Sequence, residues 1–129
     1  MTTTTPTVTI ADLHRYAGDL VARTDLTIDS LDLSGYARRI NVQTPNATTL
    51  RAAYDLLDNP TIRVSDFNED AYQRTHVNVE GTYRGVDVQF YVGFYKPEDR
   101  DLIRAFTADN HLGDARLLDA LVGDRGQEG

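Results

Sequence analysis

The chain has 129 residues, a net charge of −7, no cysteine, and hydrophobic and charged fractions of 40% and 26%. This length and balance bound a single globular domain, residues 1–129, that can bury one core unaided. The missing thiols exclude a disulfide framework, a thiolate zinc site and a cysteine nucleophile. The acidic charge is spread along the chain, and Arg38-Arg39 is the only adjacent arginine or lysine pair. Direct nucleic-acid binding is therefore not expected.

No apolar run reaches the roughly 18 residues of a membrane span. Met1 to Pro6 lacks the basic and apolar regions of a secretory signal, so a cytoplasmic location without a membrane partner is expected. Residues 1–8 and 123–129 are expected to be flexible tails.

Thr9 and Asp12 have the spacing of a capping box, and Ile10, Leu13, Tyr16, Ala17, Leu20 and Val21 then recur at helical spacing. Thr24-Asp25 closes this first helix. A strand pair follows, with Leu31 and Leu33 before a turn at Ser34-Gly35 and Ile40 and Val42 after it. Ile28 and Leu31 do not share a parity, so a break or bulge near Ser30 is expected.

Thr44-Pro45 supplies a threonine N-cap and a proline at the first helical position. Leu50, Ala53, Tyr54 and Leu57 form the inward stripe of that second helix, and Asn59-Pro60 stops it. Ile62 and Val64 mark a third strand, while Asp66 to Tyr72 is polar and reads as loop.

The segment from Arg74 to Tyr95 carries the strongest pattern, a hairpin turning at Arg84-Gly85. That turn sets Tyr83 opposite Val86, Val79 opposite Phe90 and Val77 opposite Val92, all on one face. The other face collects His76, Asn78, Glu80, Thr82, Asp87, Gln89, Tyr91 and Tyr95. One face wants a core and the other accepts water, as in an antiparallel sheet covered on one side.

Pro97 opens a third helix with Leu102, Ile103 and Phe106 inward. A last short helix begins near Asp114, buries Leu117, Leu118, Leu121 and Val122, and ends at Gly123. The expected fold is α+β: a five-stranded, largely antiparallel sheet with helices packed on one face. The strand-helix-strand unit around Thr44 to Pro60 offers one place for a parallel pairing.

The chemistry-bearing residues lack the company that catalysis needs. His14, His76 and His111 show no metal-ligand spacing and read as surface histidines. Asp66 to Asp70 begins like a calcium loop but has Ala71 where glycine is required and Val77 where a bidentate glutamate is required. Glu80 and Asp87 lie diagonally on one face, yet paired acid-base work needs a cleft that a flat sheet does not offer. The glycines form no phosphate loop, and Ser30, Ser34 and Ser65 fit no nucleophile elbow. No catalytic residue, metal or cofactor is expected.

Tyr91 and Tyr95 give the best functional hint. Rigid rings beside Asn78 and Gln89 on an exposed sheet suit a protein interface, whereas a helix covering them would make them core. His76, Asn78, Gln89, Tyr91 and Tyr95 are the candidate partner-binding residues.

The order of Arg39-Ile-Asn-Val-Gln43, Leu50-Arg-Ala-Ala-Tyr-Asp-Leu56 and Gly81-Thr-Tyr-Arg-Gly-Val-Asp-Val88 resembles that of small uncharacterised α+β proteins of actinobacteria and their phages. The resemblance implies a small accessory protein and carries over no catalytic residue. The expected function is that of a non-enzymatic, acidic protein-binding domain that blocks a host protein surface, its partner bearing a basic face. A self-associating phage structural or assembly protein and a small-ligand-binding or enzymatic domain are the alternatives, so homo-oligomerisation stays open.

Overall fold

The computed structural model describes residues 8–34, 38–69 and 72–126. In chain order the elements are α1 (Ile10–Val21), β1 (Ser30–Ser34), β2 (Arg39–Gln43), α2 (Ala47–Leu56), β3 (Asp58–Glu69), β4 (Tyr72–Tyr83), β5 (Val86–Phe94), α3 (Pro97–Ala105), β6 (Leu112–Gly113) and α4 (Ala115–Gly126). The architecture is α+β with a largely antiparallel sheet, and the strands number six rather than five, in the order β1-β2-β5-β4-β3-β6.

The hairpin register follows from its turn. Arg84 and Gly85 both have positive φ, 52° and 83°, the backbone of a two-residue turn whose twist matches the strands it joins. Tyr83 pairs with Val86, Val79 with Phe90 and Val77 with Val92. These residues share a face with Ile40 and Val42 of β2 and with Ile62 and Val64 of β3. Nearly all of them are buried, in one core that also takes Leu13, Ala17 and Leu20 of α1, Leu50 and Ala53 of α2, Ile103 of α3, and Leu117, Leu118 and Leu121 of α4. All four described helices therefore pack on the same side of the sheet.

Several local expectations are corrected. Of the polar segment read as loop, residues 66–69 and 72 are strand: β3 continues to Glu69 and β4 begins at Tyr72, the two pairing from Asp66↔Thr75 to Glu69↔Tyr72, while 70 and 71 lie outside the described residues. Backbone pairing supports this ribbon, and Thr75 donates to Asp66 Oδ1 at 2.7 Å, so no apolar alternation was needed. The parallel pair joins β2 to β5 rather than to β3, because the hairpin of β3 and β4 stands between them in the chain. The sixth strand, Leu112–Gly113 against β3, is too short to leave a periodic trace.

Helix ends shift as well. Thr9 and Asp12 form the expected capping box. The cap of α2, however, is Asn46, whose side chain accepts from Thr49 N at 2.9 Å. Thr44 lies two residues earlier, buried, with its hydroxyl donating to Asn46 O at 3.0 Å. Asn59-Pro60 does not stop α2, which already ends at Leu56; Asn59 sits within β3 at φ 51°, beside a register shift between Asp58 and Thr61. Gly123 does not end α4, which runs to Gly126. Ile10, Val21 and Phe106 are exposed rather than inward. The expected tails lie mostly outside the described residues, although Val8 packs on the core.

No helix among the described residues is long and apolar enough to cross a membrane.

Candidate protein-binding face

The face of the sheet opposite the helices is built row by row from the strand pairings. Nearest the β4–β5 turn, Arg39, Asp87, Thr82 and Asp58 lie abreast on β2, β5, β4 and β3. The next row is Asn41, Gln89, Glu80 and Thr61, and the third is Gln43, Tyr91, Asn78 and Arg63. Beyond it Gly93, His76 and Ser65 face one another. The pleat makes these residues neighbours: alternate positions of every strand point away from the helices.

The expected binding residues all lie on or beside this face, and they divide into three roles. Asn78 is only 7% exposed, which corrects its expected place as a presented group. Its amide donates to Arg63 O at 3.3 Å and its Oδ1 accepts from Gln89 Nε2 at 3.0 Å. A buried side chain engaged at both ends forms the floor of the face.

His76 and Tyr91 stack, with ring centroids 5.7 Å apart and planes at 20°. Both are half-buried, so His76 is not the surface histidine the pattern suggested. Burial, and secondarily the Arg74 charge, hold the imidazole below its ordinary pKa. Tyr95, just past β5, is 55% exposed. These three residues line one groove of ≈ 510 Å³ with Arg74, Gln43 and Thr44. The tyrosines are thus not covered by a described helix.

A second concavity, of ≈ 220 Å³, lies at the turn end, lined by Arg39, Asp58, Thr61, Glu80, Asp87 and Gln89 among others. The sequence reading gave Glu80 and Asp87 no cleft, taking the sheet as flat. The irregularity between Asp58 and Thr61 sets Asp58 beside Thr82, and both line the hollow. Asp58 could not have been found from the sequence, where it sat at the expected end of a helix.

Ion pairing is uneven over the described surface, and Asp19, Asp29, Asp32, Glu98 and Asp109 make none. Asp12, Asp25, Asp55, Asp114 and Asp119 each meet an arginine at 2.7 to 3.0 Å. Asp58, Glu80 and Asp87 make no ion pair or side-chain hydrogen bond with any described residue, and nor does Arg39 beside them. No group of three or more acidic or histidine side chains among the described residues is placed to hold a metal ion. The turn-end hollow is lined by no histidine or serine.

No protein-family model matches the chain, and no solved structure matches it at a significant level.

Proposed function

We propose that this chain is a non-enzymatic protein-binding domain that docks its partner on the open face of the sheet. The supporting observation is the contrast between the two faces. One is sealed by four helices; the other keeps half-buried aromatic rings, an exposed tyrosine and carboxylates without partners among the described residues. Large rings with polar tips over a pre-organised floor suit protein contact, and tyrosines near an interface centre each carry more than ~1 kcal/mol of binding. In this reading the protein is an accessory factor of a phage or mobile element that occludes a surface of a host protein.

The test is affinity capture from a lysate of the source organism, with wild-type and Tyr91→Ala/Tyr95→Ala baits in parallel. The expected result is a protein retained by wild type and lost from the double variant, whose melting temperature stays within a few degrees. Equal retention by both baits overturns the assignment of this face.

A second reading, small-ligand binding, is favoured by one observation: the 510 Å³ groove is walled by a histidine whose pKa burial lowers. A titratable side chain perturbed by burial and standing in a cleft marks a candidate site. Shifts of His76 and Tyr91 resonances on adding a metabolite extract, with no protein captured, favour this second reading.

A further inference from the structure

We propose that the chain pairs with a second copy of itself through the open face, the turn end of each sheet lying over the opposite end of the other. The proposal rests on the reading of this face as a docking surface and adds its regulation. Self-association covers the face until another protein displaces the second copy.

The argument starts from how charge is sorted along the strands. Asp32, Asp58, Glu80 and Asp87 occupy the two rows nearest the β4–β5 turn, with Arg39 as the one cation among them. Arg63 and Arg74 stand in the rows beyond, where Asp29, just before β1, lines the same groove as Arg74. The turn end of the described face is therefore negative and the far end positive. All four described helices lie on the other side of the sheet, so both ends stay open to a second molecule.

Symmetry then selects one arrangement. Two copies that use the same face meet about a two-fold axis, so each contact is made twice. An axis running along the strands would set turn end on turn end and oppose like charges. An axis running across the strands sets the carboxylates of each copy over the arginines of the other. Guanidinium groups are forked and weakly hydrated, which suits them to such pairs. Tyr91 stands in the third row, near the middle of the face, so each copy covers the half-buried stack of the other.

Size sets the strength. Four strands about 4.8 Å apart and five rows about 6.8 Å apart make a face of roughly 500 Å², or roughly 1,000 Å² over two copies. That lies at the small end of specific interfaces, where complexes are weak and exchange readily. A dimer of this kind stores the face without locking it.

The test is sedimentation equilibrium of the full-length chain over about 10–500 μM, a range that brackets weak association. The expected result is a reversible monomer–dimer equilibrium that shifts toward monomer as salt is raised. Two charge-reversed chains then examine the arrangement. Arg63→Glu makes both ends of the face negative, and Glu80→Lys/Asp87→Lys makes both ends positive. Each should be monomeric alone, with a melting temperature within a few degrees of wild type, and an equimolar mixture should restore a one-to-one dimer. If a reversed chain melts well below wild type, Arg63→Gln and Glu80→Gln/Asp87→Asn replace it, and each should weaken the dimer several-fold.

A chain that stays monomeric throughout overturns the proposal. So does a dimer that the charge variants keep, since its interface then lies elsewhere. Reversed chains that remain monomeric when mixed overturn it too, because the two ends do not then meet. In each of these cases a captured protein that depends on Tyr91 and Tyr95 leaves the docking surface standing. The expected dimer with no such captured protein keeps the self-association and removes the host protein from the proposed function.

Discussion

Gly93 and His76 face each other across the β4–β5 ladder, and the missing side chain at Gly93 is what lets the imidazole lie on Tyr91. A Cβ at position 93 would stand 3.3 Å from both Cδ2 and Nε2 of His76 and 3.7 Å from a ring carbon of Tyr95. That spacing to the imidazole is tighter than ordinary van der Waals contact. The aromatic end of the open face is thus organised around a glycine.

Gly93→Ala should leave the fold intact, because the half-buried imidazole can swing toward solvent and alanine is no worse than glycine in a strand. The stack should break. Loss of the ring-current shifts on the His76 side-chain protons, with a melting temperature within a few degrees of wild type, is the expected outcome. Unchanged shifts would show that Gly93 does not set the ring's position.

Gly81→Ala should behave in the opposite way. Its Cβ would fall 2.8 Å from Leu57 Cβ and 2.9 Å from the Asp58 carbonyl oxygen, and backbone cannot swing aside. Overpacking of this kind costs about 1–3 kcal/mol, measurable as a lower urea midpoint at constant slope. A neutral result would mean that the α2–β3 junction is looser than described.

Asn46→Ala should cost about 1 kcal/mol by removing the side chain that caps α2. Pro45→Ala should cost less than half of that, since Pro45 precedes the cap and does not occupy the first helical position. Thermal or urea unfolding of the two variants tests the assignment. A larger loss at Pro45 than at Asn46 would restore Thr44 as the cap.

The buried imidazole makes stability depend on pH. Its folded pKa lies below the ordinary 6.5, so the native state favours the neutral ring. The contribution is whole above pH 6.5 and is lost as pH falls through the lowered folded value. The paired carboxylates of Asp12, Asp25 and Asp114, held below 3.8 mainly by hydrogen bonds from Thr9, Arg23 and Arg116, respond only at more acidic pH. His76→Gln should therefore flatten the melting-temperature profile between pH 7.5 and 5 and leave the acid limb unchanged. A profile identical to wild type would place the pH dependence elsewhere.

The β4–β5 hairpin was legible in the sequence because its information is local. Arg84-Gly85 specifies the turn, the turn sets the register, and strict alternation from Val77 to Val92 sorts side chains onto two faces. The capping box at Thr9 and the proline start of α3 are equally short-range. In the candidate site, the same alternation brought His76, Gln89 and Tyr91 to one side without any knowledge of the partner strands.

What alternation could not supply is depth. Asn78 shares its parity with more exposed residues but is buried, and Gln89 reaches across from the next strand to bond it. Asp66 to Glu69 carries no apolar alternation in its sequence, and it is a strand because its backbone pairs with β4. Leu112–Gly113 is a strand only because β3 lies beside it.

The sequence by itself determined the α+β class, the hairpin register and the polarity of its two faces, because these depend on side chains within a few residues of one another. Only the tertiary structure decided that β2 runs parallel to β5 and that Asp58 joins Glu80 and Asp87 in a hollow. Each of those juxtaposes residues distant along the chain, and their meeting is set by how the whole core packs rather than by any local pattern.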